Sequence, residues 1–176
     1  MSRKLFFNKI RASLFKKLTA KQVAGMEAIL NEWDRRGFLD QRWLAYIFGT
    51  VYHETAAAMN PIKEKGGEAY LRSKKYYPYY GRDLVQTTWK TNYEKVKSFT
   101  GVDVVANPDL IADLPVAAAT AIEFMDKGYY TGKKLSHYFN DKKEDWFNAR
   151  RIINGTDKAS HVGGIAQLFY SAIKES

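Results

Sequence analysis

Cysteine is absent from the 176-residue sequence, which excludes both a disulfide scaffold and any cysteine-ligated metal site. No run approaches the roughly 18 consecutive apolar residues of a membrane-spanning helix. The opening residues, Met1 to Ile10, carry positive charge but lack a continuous apolar stretch and a small-residue cleavage site, so they do not read as a signal peptide. There is no internal repeat, no linker and no block of like charges of the kind found in interaction tails. Nucleophilic catalysis has no Gly-x-Ser-x-Gly elbow to stand on, and Gly66-Gly67 and Gly163-Gly164 lack the lysine and spacing of a phosphate-binding loop. His53-Glu54 opens like a zinc-protease motif, but the position that needs the second histidine is Ala57, and His137 and His161 stand alone. No metal and no cofactor is therefore expected.

What is present is enough apolar sequence for one buried core, and a single domain over 1–176 is expected. Aromatic residues make up 15%, with 12 Tyr and 4 Trp, more than a core of this size needs, which leaves rings for the surface to hold something flat. The net charge of +9 favours anionic partners such as cell-wall polymers, lipid head groups or nucleic acid. The strong periods are helical. Leu5, Phe6, Ile10, Leu14 and Leu18 mark a basic amphipathic first helix, packed on the domain or lying on a membrane. Thr19 with Gln22 forms a capping box for a second helix that stops near Arg36-Gly37. Asp40 caps a third, whose stripe of Trp43, Leu44, Ile47, Phe48, Val51 and Tyr52 is broad enough for a central position. Met59 to Arg82 has no period and reads as loop with a short hairpin. Further helices are expected from Thr87 or Thr88 to Ser98, from Pro115 to Lys127, around Lys134 to Phe139, from about Glu144 to Ile153, and from Ser160 to Ile173. The fold class is mainly α.

The chemistry concentrates between Ala45 and Tyr93. Glu54 closes the third helix near the edge of its apolar face, a setting that partly desolvates a carboxyl and favours its neutral form, as a general acid requires. Glu64, Glu68 and Asp83 lie further along the loop, and each is a possible partner. Two carboxyls across a glycosidic bond are needed for sugar-chain hydrolysis, one to protonate the leaving oxygen and one to activate water.

The stretches His53-Glu54-Thr55, Met59-Asn60-Pro61-Ile62-Lys63-Glu64 and Tyr80-Gly81-Arg82-x-Leu84-Val85-Gln86-x-Thr88-Trp89-x-x-Asn92-Tyr93 resemble the pattern of glycoside hydrolase family 19. That family includes plant-type chitinases and many phage endolysins. Asn107-Pro108-Asp109-Leu110 and Ala149-Arg150-Arg151-Ile152-Ile153-Asn154-Gly155 match it too, and the opening helix through Leu30 resembles the endolysin branch. The resemblance implies a lysozyme-like, family 19 chitinase-like single domain with at most a small β-hairpin beside the cleft.

By position, the resemblance makes Glu54 the general acid, Glu64 the base or water-positioning carboxylate, and Thr88 a holder of the attacking water. It places Tyr80, Arg82, Gln86, Asn92 and Asn154 along the sugar groove. Arg150 and Arg151 are expected to anchor the site through ion pairs. Two positions depart from the pattern: Asp83 stands where the family usually has glycine, and Thr87 where it usually has an aliphatic residue. Asp83 then restricts the turn, caps the next helix, or joins the catalytic carboxylates. The implied protein is an endolysin acting as a monomer on peptidoglycan glycan strands, with an anionic outer-membrane or lipid surface as a further partner of the basic first helix and no nucleic acid. It is expected in the host bacterial cytoplasm, released to the wall through a separate pore. Chitinase activity or a non-catalytic wall-binding module are the alternatives.

Overall fold

Each long helix starts and stops where its own residues supply the hydrogen bonds that a helix end lacks. The computed structural model describes residues 1–176. In it, Thr19 accepts from the backbone N–H of Gln22 while the Gln22 side chain accepts from that of Thr19, opening α2 (Ala20–Arg36), and Gly37 closes α2 at φ 67°. Asp40 accepts from the N–H of Arg42 at the start of α3 (Gln41–Glu54). Gly101 ends α5 (Lys90–Thr100) and Gly128 ends α6 (Leu114–Lys127), both at φ 73°. The last helix, α7, spans Ala159–Lys174.

The first helix is shorter than its periodicity. It is regular over Arg3–Ile10 (α1), then widens into a π turn, Arg11–Phe15, so the apolar repeat reaching Leu18 crosses a break. Its inner face is part of the main core. Phe6 stacks on Phe48 of α3 at 5.4 Å and on Phe169 of α7 at 6.4 Å, and Phe6 and Ile10 are fully buried. Lys4, Arg11, Lys16 and Lys17 remain outside.

Helix α3 lies across α7, and α2 packs on α6. The α3–α7 approach is close because Gly49 faces Ala166, where an added Cβ would meet the alanine methyl at 2.7 Å. One apolar cluster runs from Phe6 to Ile173. A smaller one, with Tyr93, Val96, Val104, Ile111, Val116 and Phe124, seats α5 on α6.

Four expectations need correction. The segment from Met59 to Arg82 holds a one-turn helix, α4 (Glu68–Arg72), and no strand. The only sheet is the hairpin β1 (Phe139–Asn140) with β2 (Lys143–Glu144), which lies between two expected helices and takes in the end residue of each, Phe139 and Glu144. It packs on the N-terminal end of α3, where Trp43 donates to Phe139 O at 3.0 Å. The helix expected from Glu144 is instead a 3₁₀ segment, Asn148–Ile152, and α5 begins at Lys90 because Asp83 holds the residues before it in an irregular turn. No helix is long and apolar enough to cross a membrane.

The turn after α3 passes so near α2 that a Cβ on Gly25 would lie 1.8 Å from the carbonyl oxygen of Met59. Gly25→Ala is therefore expected to cost about 1–3 kcal/mol through overpacking, read as a lowered denaturation midpoint with an unchanged slope.

Candidate active site

Glu54 is the last residue of α3. A carboxylate is badly placed there, since the helix C-terminus carries partial negative charge, and a buried arginine offsets this. Arg150, with a side chain only 4% exposed, donates from Nη1 to Glu54 Oε1 at 2.8 Å. Glu54 itself is 17% exposed, the partial desolvation expected of it. Its Oε2 makes no hydrogen bond within the protein. Arg150 is also tied by Nε to Asp157 O at 3.2 Å, so it anchors the site as expected. Arg151 instead faces solvent and reaches only Asn148. His53 lies beside the pair with its ring 5.8 Å from that of His161, and burial holds its pKa below the usual imidazole range.

Glu64 is gripped at both oxygens. Tyr76 donates its hydroxyl to Oε1 at 2.6 Å and the Gly81 N–H points at Oε2 at 3.3 Å. The Glu64 N–H donates in turn to Gly81 O at 2.7 Å, and Gln86 Nε2 to Ile62 O at 2.8 Å, which lays residues 62–64 beside 81–86. The hydrogen bond to Glu64 leads in pushing the Tyr76 phenol up to about 12, so it stays a donor. Trp89, 48% exposed, meets Tyr76 edge-on at 5.5 Å and offers an open aromatic face that sequence reasoning did not single out.

Of the three carboxylates left open as partners of Glu54, two are placed for other work. Glu68 is exposed and paired with Arg72. Asp83 is fully buried: Oδ1 accepts from the N–H of Val85 at 3.2 Å and of Thr87 at 2.8 Å, and Oδ2 accepts the Thr87 hydroxyl at 2.6 Å. Asp83 thus caps the turn that leads into α5 rather than the helix itself, with its carboxyl closed off from solvent.

The expected groove residues divide. The Thr88 hydroxyl is uncommitted, and its carbonyl accepts from Asn92 Nδ2 at 2.9 Å. Asn154, exposed, comes just after the Arg150 turn and receives the Gly155 N–H. Tyr80 and Arg82 are buried. The Arg82 guanidinium lies 3.6 Å from the Tyr80 ring centroid and bonds Asp109, Pro78 O and Tyr93 through Nε and Nη1, so it braces the wall. Gln86 likewise spends its amide N–H groups on Ile62 O and Asp83 O. A cavity of about 350 Å³ lined by Arg35, Arg36, Phe99 and Val116 contains neither Glu54 nor Glu64 nor any residue that touches them.

A family model described as chitinase class I matches residues 34–137. Chitinase 8 of Oryza sativa subsp. japonica is 35% identical over 92 residues, covering 49% of this chain and 35% of its own length. Acidic endochitinase Q of Nicotiana tabacum is 37% identical over 84 residues, 46% of this chain and 33% of its own. The chain thus spans about a third of the length of these curated relatives. Chitinase C from Streptomyces griseus HUT6037 shares the fold, with a TM-score of 0.70 at 20% identity over 98% of this chain and 76% of its own.

Burial pushes the Asp83 carboxyl above the usual carboxylate range, against the pull of its hydrogen bonds. The titratable groups around it, Tyr93 and Tyr130, are themselves pushed up by burial and stay neutral. The folded protein therefore holds this proton more tightly than the unfolded chain, and the stability it contributes is lost as pH rises from about 4. In thermal melts between about pH 4 and 7, the parent is expected to lose ground steadily against Asp83→Asn. A gap that does not change with pH would contradict this.

Proposed function

The chain belongs to glycoside hydrolase family 19, and we propose that it is an endolysin-type hydrolase of the peptidoglycan glycan strand, cutting the β-1,4 bond between N-acetylmuramic acid and N-acetylglucosamine. The observation that carries the reading is the difference between its two carboxyls. Glu54 has one oxygen fixed by Arg150 and one without a protein partner, which suits transfer of a proton to the glycosidic oxygen as the bond breaks. Glu64, with both oxygens accepting hydrogen bonds, suits a base that takes a proton from water attacking the other face of the sugar, with the Thr88 hydroxyl holding that water. The new C–O bond is made by the water, the leaving sugar carries the proton from Glu54, and the two carboxyls end with exchanged protonation, as in an inverting hydrolysis.

The anionic substrate is supported by charge. Between Lys63 and Lys75, next to Glu64, stand Lys63, Lys65, Arg72, Lys74 and Lys75 against Glu64 and Glu68. Peptidoglycan carries carboxylates that such a lobe attracts, and chitin carries none. The exposed Lys4, Arg11, Lys16 and Lys17 suit approach to an anionic envelope by charge alone, because the apolar face of α1 is used in the core. Chitin hydrolysis is the second reading, favoured by the names of the plant and bacterial relatives.

Parent and Glu54→Gln incubated with peptidoglycan and with chitin separate these readings. The parent is expected to release muramic-acid reducing ends, identified by mass spectrometry, and Glu54→Gln to turn over about 10²–10⁴-fold more slowly. Release from chitin alone would move the substrate to the second reading, and no release from either would overturn the hydrolase. Glu64→Gln is expected to lower kcat with little change in KM, since the carboxylate acts on water rather than on sugar binding.

A further inference from the structure

The two positions at which this chain departs from the family pattern are bonded to each other. Thr87 gives both its N–H and its hydroxyl to the Asp83 carboxylate, and its oxygen lies 2.6 Å from the Tyr130 hydroxyl. Since the Thr87 proton goes to Asp83, the Tyr130 hydroxyl is the donor in the second contact. Asp83 and Thr87 are fully buried, and Tyr130 is partly buried.

The turn so held is a strained one. Gln86 has φ 57° and Trp89 φ 76°, left-handed conformations that side-chain-bearing residues adopt only when their surroundings over-determine them. Thr88 lies between the two. Asp83 supplies acceptors for Val85 and Thr87 within this turn, and Trp89 N–H is pinned to Tyr79 O at 2.9 Å. Beyond Tyr130, Thr131 donates to Arg151 O at 2.6 Å, within the 3₁₀ segment whose Arg150 holds Glu54. Gly81, two residues before Asp83, holds Glu64. The chain of contacts therefore joins the Glu64 side of the site to the Glu54 side.

We propose that Asp83, Thr87 and Tyr130 form a tether that fixes Thr88 and the Glu64 segment relative to Glu54, which makes Asp83 a positioning residue of the hydrolytic site. The proposal rests on the hydrolase reading. Asp83 itself touches neither sugar nor water; it acts through the turn. Its consequence is that cutting any one link of the tether loosens the same geometry, whereas independent structural residues would each do separate damage.

The test compares Thr87→Val, Thr87→Ser, Tyr130→Phe and the double variant Thr87→Val/Tyr130→Phe on solubilised peptidoglycan, with thermal melts and amide hydrogen exchange on each. Thr87→Val and Tyr130→Phe are each expected to lower kcat about tenfold with KM within about twofold, as small misplacements do. The double variant is expected to be no slower than the worse single one, and Thr87→Ser, which keeps the hydroxyl, to recover turnover. Amides of residues 84–89 and 150–154 are expected to exchange faster in both single variants. Parental kcat in Thr87→Val, or losses that multiply in the double variant, would overturn the tether. If the parent itself releases nothing from peptidoglycan or chitin, the hydrolase reading falls and the positioning role with it. Exchange then decides the tether alone: faster exchange at 150–154 in Thr87→Val supports it, and unchanged exchange there removes it.

Discussion

The crossing of α3 over α7 at Gly49 is the constraint on which the rest of the structure depends. Only a residue without a Cβ lets the α3 backbone come this close to Ala166, and the contact is locked on either side by Phe48, Phe169 and Phe6 in one aromatic stack. Glu54 stands less than two turns further along α3, so where the helices cross is where Glu54 ends up. Its partner is set by the same event. Arg150 lies in the short 3₁₀ segment that leads into α7 and is tied to Asp157, just before that helix begins. Apolar packing positions both members of the ion pair, and the ion pair then makes tolerable a carboxylate at a helix C-terminus. The order of causes runs from packing to electrostatics.

The segment that carries Glu64 and Thr88 has little regular structure, only the one-turn α4. Residues 55–89 contain five side-chain-bearing positions at positive φ, namely Ala56, Ala57, Met59, Gln86 and Trp89, each of which costs of order 1–3 kcal/mol. That cost is offset by a set of side chains that bond to backbone, locally from Thr55 to Met59 and Asp83 to Thr87 and across the loop from Glu64 to Gly81 and Gln86 to Ile62. Such a segment gains order only after the helices have brought its ends together. Strain held by buried polar groups concentrates where Glu64 and Thr88 are presented.

This contrast explains how much could be read from the sequence. Thr19 with Gln22, Asp40, Gly37 and Gly128 act on residues within one turn of themselves, so the boundaries of α2, α3 and the end of α6 were legible from spacing alone. Glu54 was legible for the same reason, as the end of a broad apolar stripe. The hairpin was not, because strands of two residues are too short to show an alternation, and its Asn140-Asp141-Lys142-Lys143 turn carries no glycine. Arg82 shows the limit most clearly. Its place in the matching motif suggests a sugar contact, yet its ring partner, Tyr80, and its anion, Asp109, are set by the fold, the latter 27 residues away. Tyr76 and Tyr130 belonged to runs of tyrosine that give no sign of which ring will meet which carboxyl or hydroxyl.

Two glutamates of one chain serve different ends only if their surroundings differ. Here the difference is one of partners. Glu54 is met by a single guanidinium on one oxygen, leaving the other without a protein partner. Glu64 is met on both oxygens, by a phenol and a backbone amide. A carboxyl that must carry a proton needs an oxygen free to bear it. A carboxyl that must receive one from water gains from donors that hold its orientation without carrying full charge. The first arrangement comes from helix packing and the second from a strained loop, and the Thr87–Tyr130 contact is a polar link between them. The placement of Glu54 relative to Glu64 rests on holding a helical half and an irregular half together, which places the demand for precision on the contacts between them rather than on either carboxyl alone.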